Sequence, residues 1–195
     1  MVAGVVAAAL LVTACGGEDD GARLDPQLTE SAAPTATLSA DETARQQALT
    51  LVDIYVDARN TVLTDPTSFR EAQGMEGSAE GTAVTDVKVR AGELFLARRK
   101  QRGETAVVGT PEVVTVDLSP DPETGPAGSF QQHPYVEVSA CLDDSRVTEV
   151  TAAGGKVKGA SAGTRRTVRL RVVNRSWPTV DQWRVAWLKE TRRRC

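Results

Sequence analysis

The feature that most constrains the fold is an alternation of apolar and polar residues in the second half of the chain. Residues 135–142 alternate with a period of two, as do residues 167–173. Residues 107–118 are rich in β-branched side chains, and residues 182–189 would place Trp183, Val185 and Trp187 on one side of a strand. Such segments are typical of antiparallel strands with one buried face. We therefore predict a sheet of about four strands or more, which needs a cover on its apolar face.

The cover is predicted to come from helices that precede the strands. Residues 41–63 show apolar residues at a spacing of three and four, with Ser39 or Asp41 as the N-terminal cap and Asp65-Pro66 as the stop. A Gly-rich loop over residues 74–81 leads to a second helix, predicted over residues 85–102 with Gly103 at its end. The fold class predicted is α+β, with N-terminal helices packed on a curved, mainly antiparallel sheet.

The N-terminus has the pattern of an export signal. Residues 2–12 are a short apolar run, about half the length that a bilayer-spanning helix needs. The run ends in Val12-Thr13-Ala14-Cys15, which resembles the lipobox of bacterial lipoproteins. That resemblance implies that residues 1–14 are a signal peptide and that Cys15 carries the lipid. The alternative is a soluble protein whose N-terminal helix ends in a buried free Cys.

A polar segment follows Cys15. Residues 16–40 are rich in Ser, Thr, Ala and Gly and have almost no large apolar residues, so this segment cannot bury enough surface to offset its ordering entropy. We expect residues 15–40 to be a disordered spacer between the lipid and a single domain over residues 41–195. Two acyl chains would give stable anchoring. The predicted location is therefore the extracytoplasmic side of the cell membrane.

Helices followed by long strands and a Trp-containing last strand resemble the nuclear-transport-factor-two-like cone, also called ketosteroid-isomerase-like or SnoaL-like. The resemblance covers residues 41–195 and is greatest to lipid-anchored members from high-GC Gram-positive bacteria, which have a strand Cys and a Cys near the C-terminus. Arg outnumbers Lys among the 23 basic residues, which also fits GC-rich codons. The resemblance implies a pocket, for which Tyr135, Trp183 and Trp187 are the candidate lining residues. A cystatin-like α+β domain is the alternative fold.

The cysteine count agrees with export. Of the 3 cysteines, lipidation of Cys15 leaves Cys141 and Cys195, an even number in an oxidising compartment. They form the one intramolecular pair available, and a loop of about 55 residues would gain on the order of 4 kcal/mol from closure. Two free thiols, or thiols paired between molecules, are the alternative.

The composition limits catalytic chemistry. A triad would have to use His133, the single His, and residues 159–163 match the G-x-S-x-G pattern without the preceding strand and following helix and His that a nucleophile elbow needs. We interpret both as loop residues. Asp117, Asp121 and Glu123 lack the pattern of a calcium loop. No metal and no cofactor is expected.

Basic residues cluster in two segments, Arg98–Arg102 and Arg165–Arg175. They could contact nucleic acid, an anionic polymer or anionic lipid, or they could be a solvated helix end and the polar face of a sheet. The second interpretation is favoured, because the aromatic platform of a single-strand binder is missing. We expect no nucleic-acid partner.

Two classes of function remain. The first is a non-catalytic, lipid-anchored module that binds an envelope component or a partner protein. The second is an isomerase or dehydratase of the same fold, which would use a pocket Asp or His as base. A protein encoded by a phage or mobile element that protects the host envelope is a third possibility, and it is based on the small exported form alone.

Overall fold

The structure is a computed structural model that describes residues 38–68, 72, 74–119, 133–191, 193 and 195. The predicted signal peptide, Cys15 and nearly all of the predicted spacer lie outside these residues. The elements in chain order are α1 (Ala40–Thr64), α2 (Gly81–Leu96), β1 (Arg99–Arg102), β2 (Ala106–Asp117), β3 (Tyr135–Asp143), β4 (Thr148–Thr151), β5 (Arg165–Asn174) and β6 (Trp183–Glu190), with 3-10 turns at Pro66–Ser68 and Val180–Gln182. Both helices pack against a mainly antiparallel sheet, so the predicted α+β class is confirmed.

The first helix follows its sequence signals. The hydroxyl of Ser39 accepts a hydrogen bond from the Glu42 backbone N–H, at 3.2 Å, which satisfies one of the free amides of the first turn. The buried stripe includes Val52, Val56 and Leu63. The helix ends at Thr64, and its C-cap Asp65 has non-helical backbone, which the following proline favours.

The main sheet has four strands in the order β2-β3-β5-β6, each antiparallel to its neighbour. Along β3 the residues at even positions are buried and pair with buried residues of β5, as in Val138 with Leu170 and Ala140 with Val168. This face, the core face, packs against the buried stripes of α1 and α2. The opposite face, the outer face, carries the residues at odd positions of β3 and β5. The predicted alternation is confirmed for both strands.

The second helix is shorter at its C-terminal end than predicted. It ends at Leu96, and the backbone of Arg98 adopts a φ of 52°, which turns the chain into β1. Residues 99–102 pair with β4 in a separate two-stranded sheet that the sequence analysis missed. Gly103 is not a helix stop; it turns the chain after β1 at a φ of 83°, where a Cβ would lie 2.0 Å from the Arg146 carbonyl oxygen. Only glycine fits there.

The alternation of the last strand is interrupted, so the prediction that Trp183, Val185 and Trp187 share one face is wrong. Val172 pairs with Val185, whereas the adjacent Arg171 pairs with Trp187. One extra residue, Ala186, therefore forms a bulge, and everything after it changes face. Trp183 and Val185 lie on the core face, and Trp187 lies on the outer face.

Cys141 and Cys195 form a disulfide across 54 positions of sequence, with their Sγ atoms 2.05 Å apart. Cys141 is on the outer face of β3, a central strand. The bond therefore fixes the end of the chain to the middle of the sheet. No described helix is long and apolar enough to cross a membrane.

Candidate functional site

A small cavity lies where α1, α2, β5 and β6 meet. Its volume is about 170 Å³. Three of its lining side chains are arginines, so we call it the arginine cavity. Its lining residues are Tyr55, Arg59, Asp86, Val87, Arg90, Arg166 and Leu188. With three guanidinium groups and one carboxylate, the lining carries a formal charge of +2.

Arg59 distinguishes this cavity from the rest of the surface. Its Nη1 donates a hydrogen bond to the hydroxyl of Thr105 at 2.9 Å, and no described carboxylate forms an ion pair with it. Burial is the main cause that lowers the pKa of Arg59; Tyr55 and the charge of Asp144 oppose this shift, and the charges of Arg166 and Arg90 add to it. A partly buried cation without a direct counter-ion is costly, so the cavity favours the entry of an anion.

The other two arginines are held in place by carboxylates. Arg166 Nε donates to Asp144 Oδ2 at 2.8 Å. Arg90 pairs with Glu93 at 3.0 Å and with Glu149 on β4. Both guanidinium groups therefore reach the cavity in a fixed orientation.

Tyr55 supplies a hydroxyl to the same cavity. Tyr55 and Arg59 are four residues apart on α1, so they lie on one side of that helix. Burial raises the pKa of Tyr55 to about 12. The phenol therefore keeps its proton at neutral pH and can donate a hydrogen bond to a bound oxyanion.

A polar network behind the cavity fixes Arg59. The Thr105 hydroxyl accepts from Arg59 and donates to Asp144 Oδ1 at 2.5 Å. The buried Asn60 side chain bonds both the carbonyl oxygen of Thr105, at 2.8 Å, and its N–H, at 3.0 Å. Gln101 on β1 donates to Asn60 at 3.3 Å. Because each buried polar group has a partner, the network is rigid rather than destabilising.

The loop that carries the G-x-S-x-G pattern packs against this network. A Cβ at Gly163 would lie 2.4 Å from the Cβ of Asp144, so the last glycine permits close backbone approach. Ser161 is exposed, and β5 follows the loop where an elbow would need a helix. His133 is at the entry to β3, with its Nε2 3.3 Å from Arg175 Nη1. Within the described residues, no three potential ligands cluster as a metal site would require.

Two of the predicted pocket residues lie on the outer face instead. The guanidinium carbon of Arg171 is 4.2 Å from the centroid of the Tyr135 ring and 5.4 Å from that of Trp187. Arg171 also donates to Glu137 at 2.5 Å, and both side chains are 13% exposed. The aromatic rings cover a paired arginine, and they do not line a cavity with Trp183.

Trp183 is on the other side of the sheet. It is buried, packs edge-to-face against Trp177 at 5.7 Å between ring centroids, and borders an open groove of about 400 Å³ beside α1. Its Nε1 has no hydrogen-bond partner among the described residues. Tyr135, Trp183 and Trp187 therefore do not converge on one pocket.

The sequence analysis missed Tyr55 and Arg59, and it interpreted Arg166 as part of the polar face of the sheet. The sequence contains a signal for Arg59, because this charged residue interrupts the apolar stripe of α1 between Val56 and Leu63. Arg166 falls in the same alternation that buries Val168. A charged residue on a core-facing stripe is more informative than a charged run on a surface.

No protein-family model and no curated protein matches this sequence. Among solved structures, the chain is similar to the intermembrane space region of the chloroplast protein ARC6. The two share 12% sequence identity, the match covers 75% of this chain and 95% of that one, and the TM-score is 0.47.

Proposed function

We propose that this protein is a lipid-anchored lipoprotein of the cell envelope whose folded part is a non-catalytic binding module. The lipobox-like Cys15 and the polar segment after it support the anchor. The arginine cavity supports binding, since it offers two oriented arginines, a partly buried arginine that no described carboxylate pairs with, and a phenol. The ligand group that fits is an oxyanion, a phosphate or a carboxylate, carried by an envelope component.

The size of the cavity limits what enters it. A volume of about 170 Å³ equals that of about six water molecules at roughly 30 Å³ each. A phosphate or carboxylate group fits, and the remainder of a larger ligand stays outside. Arginine guanidinium groups match both oxyanions in geometry.

The anion site is tested with the full chain carrying Cys15→Ser. Inorganic phosphate and acetate are titrated separately at constant ionic strength, and binding is measured by calorimetry. At least one of them is expected to bind with a dissociation constant that rises at least tenfold in Arg59→Met. Arg169→Met is the matched control, because Arg169 lies on the outer face 3.6 Å from Glu137. It removes the same charge and is expected to leave binding unchanged.

The half-exposed Arg90 provides a second variant in case Arg59→Met does not fold. Arg90→Gln is expected to weaken the same anion several-fold while circular dichroism remains that of the wild type. Equal affinity in wild type, Arg59→Met and Arg90→Gln would contradict the site, as would absence of binding of either anion to the wild type.

The anchor is tested separately by growing the producing bacterium with a clickable fatty acid. The wild-type chain is expected to incorporate the label, and Cys15→Ser is expected to lose it. Cys195→Ser is the control, because it changes a cysteine that the disulfide uses. Label retained in Cys15→Ser would exclude this residue as the lipid site.

An enzyme is the second candidate, and Asp86 favours it. This carboxylate lines the same cavity as Tyr55 and Arg59, so a base, a proton donor and a cation are near one another. The discriminating variant is Asp86→Asn. An enzyme would lose turnover of its substrate in this variant, whereas the binding module would keep or increase its affinity for the anion because one negative charge is removed.

A further inference from the structure

A second surface, at the C-terminal end of α2, combines exposed apolar residues with positive charge. Leu96 is 80% exposed and Phe95 is 45% exposed. Both line a groove of about 700 Å³ with residues 64–67, at the end of α1. Adjacent exposed apolar side chains that border a groove with a polar rim are typical of an interaction surface.

The rim of this groove is basic. Arg98, Arg99 and Lys100 line it, and Asp65 is the acidic residue among its lining. Arg99 is paired with Glu149 at 3.0 Å. No described carboxylate forms an ion pair with Arg98 or Lys100. The backbone turn at Arg98 ends the helix and leaves Leu96 projecting beside the two cations.

We propose that this surface binds an anionic lipid bilayer, with Leu96 and Phe95 entering the headgroup boundary and Arg98 and Lys100 contacting lipid phosphates. Apolar residues beside unpaired cations are the combination that stabilises interfacial binding. The charge complementarity selects an anionic surface over a neutral one. The inference rests on the proposed lipid anchor, which brings the domain to the membrane.

The chain is long enough for the anchor and this surface to reach one bilayer together. The surface lies at the C-terminal end of α1, and the segment from Cys15 joins the N-terminal end. The 25 residues of α1 span about 37 Å. The 23 residues from position 15 to 37 can extend to at most roughly 80 Å. Because the anchor raises the local concentration of the surface at the bilayer, a weak contact is sufficient.

The test uses the full chain with Cys15→Ser, so that the lipid does not dominate binding. Co-sedimentation is measured with vesicles of equimolar phosphatidylglycerol and phosphatidylcholine and with pure phosphatidylcholine vesicles. The pair Arg98→Gln and Lys100→Gln is expected to weaken binding to the anionic vesicles about 25-fold, at about fivefold per cation. Leu96→Ser is expected to weaken it several-fold, and its side chain is exposed enough that folding is unaffected.

The matched control is Val89→Ser, because Val89 is 58% exposed on the same helix. Val89→Ser is expected to bind the anionic vesicles as tightly as the Cys15→Ser chain that lacks this substitution. All variants keep the apolar residues 2–12, so any membrane affinity of that segment is common to them. Equal binding to the two kinds of vesicle, or no change in the cation and Leu96 variants, would overturn the proposal. Fatty-acid labelling at Cys15 reports the anchor independently of these outcomes.

Discussion

The two faces of the main sheet both carry arginines, and they use them differently. On the outer face, Arg171 is paired with Glu137 and covered by two aromatic rings, and Arg165 Nε donates to Asp143 at 2.8 Å. Against the core face packs α1, whose Arg59 reaches the cavity lined by Arg166 of β5 without forming an ion pair to a described carboxylate. The difference teaches that the number of charges does not identify a site; the absence of a direct counter-ion around a buried charge does.

The acid groups show the same contrast. On the outer face, hydrogen bonds from Ser145 and Arg165 hold the pKa of Asp143 at about 2. Because the pKa of Asp143 is lower in the folded state, its carboxylate stabilises the fold at pH values above its pKa in the unfolded chain. It loses that contribution as the pH falls towards 2. In the cavity, burial raises the pKa of Tyr55. The outer face stabilises ionised groups in pairs, and the cavity keeps a neutral donor beside one cation, Arg59, that forms no ion pair with a described carboxylate.

The largest expected effect concerns the disulfide, which supports the outer face. Replacing both Cys141 and Cys195 with Ala is expected to lower the free energy of unfolding by on the order of 4 kcal/mol, because the unfolded chain regains the entropy of a loop closed across 54 positions. Urea denaturation measures the change, and the reduced wild type is the control. A loss below about 1 kcal/mol would show that the sheet holds its C-terminal end without the bond.

Truncation on the two faces of β5 compares them directly. Leu170→Ala is expected to cost about 3 kcal/mol, since the side chain is fully buried on the core face and leaves a cavity. Arg169→Ala, at the adjacent position, is expected to cost less than about 1 kcal/mol, because its side chain is 48% exposed. Thermal denaturation checks both variants. Equal losses would mean that the outer face is covered in solution.

The covered arginine of the outer face gives an intermediate effect. Arg171→Ala is expected to cost about 2 kcal/mol, because it leaves the mostly buried Glu137 with a more distant partner, Arg169, at 3.6 Å. The double variant Arg171→Ala, Glu137→Gln should recover part of this loss. If the double variant is less stable than the single one, unpaired charge is not the cause.

The smallest effect concerns the phenol of the core face. With a folded pKa of about 12 and an unfolded value of 10.0, Tyr55 ionises first in the unfolded chain as the pH rises. The contribution of Tyr55 to stability is complete below pH 10 and is lost between about pH 10 and 12. The loss reaches about 1 kcal/mol at pH 11. The free energy of unfolding of Tyr55→Phe, measured by urea denaturation, is expected to decline less steeply with pH over that range. Equal slopes for the variant and the wild type would mean that the Tyr55 hydroxyl is exposed to water.

Regular elements were predictable where local pattern and tertiary packing agree. The α+β class and the alternation of β3 follow from spacing, and Ser39 was one of two cap candidates that the residue types offered. The end of α2 does not, because residues 98–102 have no apolar pattern, and β1 forms through its pairing with β4 and the bond from Gln101 to Asn60. Long-range contacts decide such segments, and a single sequence does not contain them.

The site was less predictable than the fold. Grouping Trp183 with Trp187 assumed unbroken alternation, and the bulge at Ala186 separates them. The aromatic residues considered lie mostly on the outer face, whereas the cavity is built largely from polar and charged residues four apart on two helices, Tyr55 with Arg59 and Asp86 with Arg90. Their convergence depends on how the helices pack.

The bond between Cys141 and Cys195 also determines how the molecule would carry mechanical load. A force applied between the N-terminal end of α1 and Cys195 would be transmitted through β3, because the disulfide connects Cys195 to that strand. The 54 positions between the two cysteines, which include β5 and β6, would bear no tension. Extension on unfolding would be shorter, by up to roughly 190 Å, than for the reduced chain. A domain held to a membrane at one end and pulled by a partner at the other would thus keep half of its main sheet out of the force path.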